Sequence, residues 1–266
     1  MAATSPVWEL QQRIAPLKKL VDRGIPCILW GDDALKFAHN VTPICYSDLH
    51  ILVPDTLLDS AGATLVDDGT YDRTTIPSEK YVELFGELNA GEYAFPRSVR
   101  LVHRTVPCRW AEYSEVPRHI LLVPESYYGF EVQSHIGEFK SFCPPLDLAA
   151  YRDVLVPEFH TMLEGLVHFS MYPPTGHEHC LFSDNEFITG LLEARMRGRK
   201  REEVQQEIMD EIETEDCAWF MQSRFKRKYT DCGNLEYEDG YKQKKAFRLR
   251  LSMIANPISR ARKRGI

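Results

Sequence analysis

Apolar positions in the first half of the chain fall in short runs whose spacing alternates between two periods. Residues 25–31, IPCILWG, form a compact apolar run closed by glycine, and DDALKFAH after it has helical spacing. A turn is expected around Asn40 and Pro43, then a strand, DLHILVP, over 48–54. A helix over TLLDSAGATLVDDG closes on Gly69, and SVRLVHR (98–104) and RHILLVP (118–124) read as further strands. Upstream, Ser5-Pro6 opens an amphipathic helix carrying Val7, Leu10, Ile14, Leu17 and Val21; Pro16 is expected to kink or split it, and Gly24 and Pro26 to stop it. This order predicts an open α/β sheet within about the first 125 residues.

The second half reads as helical. Pro144-Pro145 and Pro173-Pro174 bracket AAYRDVLVPEFHTMLEGLVHF, a helical stretch interrupted by Pro157 and expected to pack on the sheet. Ser183 and Glu186 form a capping-box pattern before Phe187, Ile188, Leu191 and Leu192, and Gly198 separates that helix from a long charged one carrying Val204, Ile208 and Ile212. A final helix is expected from near Asp239 to before Pro257. The organisation expected is an α/β core with packing helices over 1–175 and a helical extension over 183–266, basic from about 217.

Composition narrows the class. With 266 residues, 44% hydrophobic and 11% aromatic, the chain can bury a full core, which excludes disorder and disulfide-stapled miniproteins. Seven scattered cysteines without a CxxC pair suggest reduced thiols rather than a disulfide framework. The N-terminal MAATSPVWELQQRIAPLKK has no apolar signal core, and no apolar run approaches the roughly 18 residues of a membrane span, so a cytoplasmic or nuclear protein without a membrane partner is expected. Charge is segregated: residues 217–266 hold thirteen Lys and Arg against four Asp and Glu, a net of +9, which leaves −16 on residues 1–216 out of the total of −7.

The first candidate chemistry lies in ILWGDDALKFAHNVTPICYSDLHILVPD. Period two puts Asp48 and His50 on one face of a strand and Leu49, Ile51 and Val53 on the other, and Asp32 and Asp33 follow Gly31 where a helix begins, beside free backbone amides. These residues admit a catalytic reading, with Asp48, His50 and Asp32 as the site and His50 as acid or base. They equally admit a structural one, a hydrogen-bonded pair at a strand end with Asp32 and Asp33 as N-cap and first-turn charges.

The segment resembles the nucleotidyltransferase superfamily, whose signature is an apolar strand ending in Gly-Gly or Gly-Ser, a helix, and a strand with two acids separated by one residue. Gly31 stands at the first glycine, Asp32 at the small second residue, Asp48 at the first acid and His50 at the second acid. The third acid has no counterpart in SVRLVHR or RHILLVP. The resemblance covers about residues 25–125 and implies a mixed-sheet nucleotidyltransferase-like core with a degenerate site. Because imidazole is a poor magnesium ligand, it argues against ordinary two-metal transfer; no cofactor is expected, with magnesium only if a metal site survives. His177, Glu178, His179 and Cys180 read as a polar surface loop rather than a metal site. No GxGxxG, Walker A or GxSxG pattern occurs.

The second candidate is the basic end, with Arg224, Lys226, Arg227 and Lys228, then Lys242, Lys244, Lys245, Arg248 and Arg250, then Arg260, Arg262, Lys263 and Arg264, interleaved with Trp219, Phe220, Phe225, Tyr229, Tyr237, Tyr241 and Phe247. In the last helix Phe247, Leu251 and Ile254 form an apolar seam that leaves Lys242, Lys245 and Arg248 outward, an arrangement that suits RNA phosphates. The alternatives are pairing with the acidic helix (Glu202, Glu203, Glu207, Asp210, Glu211, Glu213, Glu215 and Asp216), docking on the acidic core, and a nuclear address. Joined, the two signals suggest a metal-independent transferase that engages RNA, with tRNA as the expected partner, and forms an amide from an aminoacyl-tRNA. In size and charge the chain is similar to the compact arginine-type cyclodipeptide synthases, though no motif aligns. The other expectations are a nucleotide-binding pseudoenzyme or atypical small-molecule nucleotidyltransferase, and a non-enzymatic RNA or protein adaptor.

Overall fold

The computed structural model describes residues 6–41, 48–76, 97–106, 116–133, 139–141, 151–172 and 181–226. Within them, α1 (Pro6–Asp22) precedes β1 (Ile28–Trp30), α2 (Gly31–His39), β2 (Leu49–Val53), α3 (Leu58–Val66), β3 (Tyr71–Arg73), β4 (Val99–His103) and β5 (His119–Pro124). Next come β6 (Phe139–Ser141), β7 (Leu155–Pro157), α4 (Phe159–Met171), α5 (Leu181–Met196), α6 (Arg201–Glu211) and α7 (Glu215–Lys226). Short 3₁₀ turns follow β2 at Asp55–Leu57 and β5 at Glu125–Tyr128.

The fold is α/β, with one mixed seven-stranded sheet among the described residues in the order β3-β4-β5-β2-β1-β7-β6. The β1–β2, β3–β4, β4–β5 and β6–β7 pairs are antiparallel; β2–β5 and β1–β7 are parallel. Central β2 is buried along its whole length, as a strand covered on both faces must be. On one face, α3 packs on β3, β4 and β5, with Gly62 against Val99. On the other, Gly165 of α4 admits the Trp30 ring, and a side chain there would meet Phe130 at 2.6 Å and Trp30 at 2.8 Å. An aromatic group of Trp30, Tyr128, Phe130, Phe139 and Phe169 fills this side. The core is continuous from Ile14 in α1 to Met221 in α7, so helices α5 to α7 share it with the sheet.

Several expectations change. Helix α1 runs through Pro16 as one element, because Ile14, Leu17 and Leu20 are wholly buried and their packing outweighs the lost backbone bond. The stretch expected to be helical from residue 149 instead forms β7 at Leu155–Pro157 before α4 begins: the residue preceding a proline is driven to extended geometry, and Val156 then pairs in the sheet. Strands β3 and β6, three residues each, carry no alternation long enough to read. Ser183 and Glu186 lie inside α5 rather than at its start. The acidic helix ends at Glu211, with Ile212 extended after it, and a separate helix begins at Glu215. Pro43, Pro144-Pro145, Pro173-Pro174 and the helix expected over 239–257 fall outside the described residues.

Candidate functional site

Register brings the first candidate residues together. In the β1–β2 pair Trp30 lies opposite His50, and in the β2–β5 pair His50 lies opposite Leu121, which itself faces Arg100 across the β5–β4 pair. Directly opposed residues share a face, so Trp30, His50, Leu121 and Arg100 form one row across four strands. Asp48, two residues before His50, belongs to the same side.

Strand β1 ends where Gly31 turns the chain into α2 at φ +64°, a left-handed conformation that favours glycine. A second reason for glycine is space: a side-chain carbon there would stand 2.9 Å from Nδ1 of His50. The imidazole therefore rests against the turn itself. Trp30 is the N-cap of α2 and supplies no side-chain cap, so Asp32 and Asp33 occupy the first turn rather than the cap, where carboxylates complement the helix dipole.

Asp32, Asp33, Asp48, His50 and Arg100 are all buried, each 8% exposed or less. Burying an ionised side chain costs several kcal/mol unless a partner offsets it. Part of the compensation comes from α1: Arg13 Nε donates to Asp33 Oδ1 at 3.0 Å, and its terminal nitrogen donates to Oδ2 at 2.8 Å, a two-point clamp. Burial pulls the Arg13 guanidinium down, but Asp33, with Asp48 and Asp32 beyond it, outweighs burial and holds it above its ordinary value. For His50 burial wins, lowering the imidazole to about 4 against the pull of Asp48 and Asp33 and with the help of Arg100 and Arg13. Burial thus favours the neutral imidazole of His50, set among Asp32, Asp33, Asp48, Arg13 and Arg100.

Sequence reasoning found Asp32, Asp48 and His50 and missed Arg13 and Arg100. Arg13 sits in an amphipathic helix 20 residues before its partner, and Arg100 is a lone cation in an apolar strand; neither position carries a local signal. Cys27 offers no nucleophile, since burial pushes its thiol up to about 12 and its Sγ lies 3.8 Å from the Leu17 carbonyl oxygen; burial holds the Cys217 thiol above its ordinary value as well. Among the described residues no three His, Cys, Asp or Glu side chains are placed to hold a metal ion, and no helix is long and apolar enough to cross a membrane. His177 to Cys180 lie outside the described residues.

Of the basic candidates, Arg224 lies in α7 and donates to Oγ1 of Thr189 in α5 at 2.5 Å, so it ties two helices together. Lys226 closes α7. Arg227, Lys228, Lys242, Lys244, Lys245, Arg248, Arg250, Arg260, Arg262, Lys263 and Arg264 lie outside the described residues. No protein-family model matches the chain, and no curated protein matches it at significant similarity.

Proposed function

We propose that the chain is a metal-independent transferase on a nucleotidyltransferase-like scaffold, in which Asp48 and His50 move a proton and the basic end holds RNA. The observation that carries this reading is the buried cluster at the β1–α2 turn: six titratable side chains, five of them buried, converge where structural stability alone is poorly served by charge. Support for the scaffold comes from the antiparallel β1–β2 pair joined through the Gly31 turn and from β5 running parallel to β2. Metal acids are replaced by other chemistry. His50 stands at the second acid, its neighbour on β5 is Leu121, and the next residue in the row is the cation Arg100, which repels a divalent ion.

The substrate class that suits such a site is an already activated ester. In an aminoacyl-tRNA the acyl group needs no metal: the amine forms a bond to the carbonyl carbon, the bond to the ribose oxygen breaks, and the proton lost by the amine is the one the departing hydroxyl gains. Burial makes His50 a weak base, so its role beside Asp48 is to pass that proton on to the departing oxygen rather than to hold it. RNA binding gains support from the acidic helix, since Glu203 pairs with Lys200, Glu207 with Arg199 and Glu211 with Arg195 at 2.5 Å. Those acids already have local cations, which favours an external partner for the basic clusters.

The test is to incubate the full chain with aminoacyl-tRNA and chelator and follow loss of the ester with amide product. Asp48→Asn is expected to abolish turnover while the chain stays folded. Absence of ester consumption by the parent chain, or its dependence on magnesium, overturns the reading. The Arg13–Asp33 clamp favours a second reading, a nucleotide-binding pseudoenzyme, because it gives charge in the cluster a structural role. Saturable nucleotide binding without any turnover would select it.

A further inference from the structure

Among the described residues three large hydrophobic side chains are exposed, and two of them flank one carboxylate where α4 ends beside α7. Tyr172, 38% exposed, donates its hydroxyl to Asp216 Oδ2 at 2.5 Å, and Trp219, 40% exposed, follows Asp216 by three positions, one turn along the same face of α7. Carboxylates rim this aromatic surface. Glu213 and Glu215 are exposed beside Asp216, and Glu164 Oε1 accepts the backbone N–H groups of Glu213 at 2.6 Å and Thr214 at 3.1 Å, pinning the link that leads into α7. Among the described residues no ion pair reaches Glu164, Glu213, Glu215 or Asp216, whereas Glu203, Glu207 and Glu211 of α6 have Lys200, Arg199 and Arg195. Such a surface attracts a cation carried on an apolar stem, because ring faces and carboxylates draw the charge while the rings cover the stem.

We propose that this surface docks the chain's own basic segment 242–250, which rests there when no RNA is bound and leaves when RNA arrives. The inference rests on the reading that the basic end holds RNA, and it adds the place that end occupies otherwise. Residues 242–250 lie outside the described residues, and charge and chain length select them. Residues 217–266 carry a net +9, the complement of an acidic rim. Arg227 and Lys228 leave α7 at its far end, about 15 Å from Asp216 at 1.5 Å per residue, with too little chain to turn back. Lys242 stands 16 positions beyond Lys226, up to about 53 Å of extended chain, which is ample for the return. The cluster at 260–264 would close a longer loop at greater entropic cost. The nearer segment holds Lys242, Lys244, Lys245, Arg248 and Arg250 without an acid, so its lysines match the three exposed carboxylates and its guanidiniums the face of Trp219. Three carboxylates satisfy at most three of the thirteen cations after residue 216, so phosphates, which neutralise more of them, displace the segment.

Carbodiimide coupling of the full chain at low salt tests this, since it joins carboxylates only to amines in contact; an equal mixture of isotope-labelled and unlabelled chains tells links within a chain from links between chains. Amide links from Glu213, Glu215 or Asp216 to Lys242, Lys244 or Lys245 are expected within one chain, and saturating tRNA should remove them. Trp219→Leu, an exposed substitution that leaves every charge in place, should lower the link yield and raise tRNA affinity about two- to fivefold, the equivalent of one exposed cation–π contact. The docking is overturned by a parent chain without these links, by links found only between labelled and unlabelled chains, by links that persist under saturating tRNA, or by a Trp219→Leu chain with the parent's link yield or a weaker hold on tRNA. A parent that binds tRNA and forms no links overturns the docking alone. A parent that forms the links and binds no tRNA overturns the RNA reading, and the exchange with it, while the docked segment stands.

Discussion

Taking an imidazole out of water penalises its charged form, and at His50 that penalty exceeds the attraction of Asp48 and Asp33. A base whose folded value lies below its unfolded value contributes full stability above the unfolded value, about 6.5, and loses it as pH falls toward the folded value, here about 4. Protonating His50 in the native state should therefore cost roughly 3 kcal/mol. His39 should add to the same acid sensitivity, because burial lowers it to about 4, aided by Lys140 and opposed by a backbone hydrogen bond at Pro157. Urea unfolding between pH 7 and 4 is expected to show stability falling through this window, with one proton fewer taken up on unfolding in His50→Gln. An identical slope in that variant would mean that His50 takes up protons equally in the folded and unfolded states and is not lowered by burial. Alternation in DLHILV made the shared face of Asp48 and His50 legible from sequence; their burial was not, because it depends on α1 and on a distant strand.

At the scale of elements, the strands read most easily were those whose burial follows their own alternation or apolar run: β1, β2, β4 and β5. Those missed are three residues long and take their identity from neighbours, as β7 does by pairing with β1 on one side and β6 on the other. Helix α1 illustrates the same dependence. Its apolar stripe was evident, but its link to the site is the polar Arg13–Asp33 clamp, with side chains 16% and 9% exposed. Arg13→Met keeps the stem volume and removes the charge, leaving Asp33 buried without its cation. A loss of about 3 kcal/mol is expected, the lower end for a buried pair because Arg13 keeps some solvent contact. Combining it with Asp33→Asn should recover part of that loss in denaturant unfolding. A single variant as stable as the parent would show that α1 docks through its apolar face alone.

The whole molecule is organised by charge, with net −16 before residue 217 and +9 after it. If the basic end served to neutralise the rest, its natural targets would be the acids of α6, yet Glu203, Glu207 and Glu211 are paired with Lys200, Arg199 and Arg195 from the same helical region. Surface pairs of this kind stabilise little, but they reduce the gain from recruiting a second cation. Phosphates offer the basic end a different return, because each one neutralised releases condensed counterions and contributes about −0.7 to −0.9 to the slope of log K against log salt. Six contacts give a slope near −5, on the order of magnitude expected for three clusters acting together. Filter binding of tRNA between 50 and 200 mM salt, roughly the range over which that effect is large, should show it. Changing Lys242, Lys244, Lys245 and Arg248 together to Ala should weaken binding and flatten the slope by about 3 to 4 units. The α/β sheet should keep its unfolding midpoint, since none of the four positions lies in its described strands. RNA affinity unchanged in that variant, or insensitive to salt in the parent, would assign the basic end to another partner.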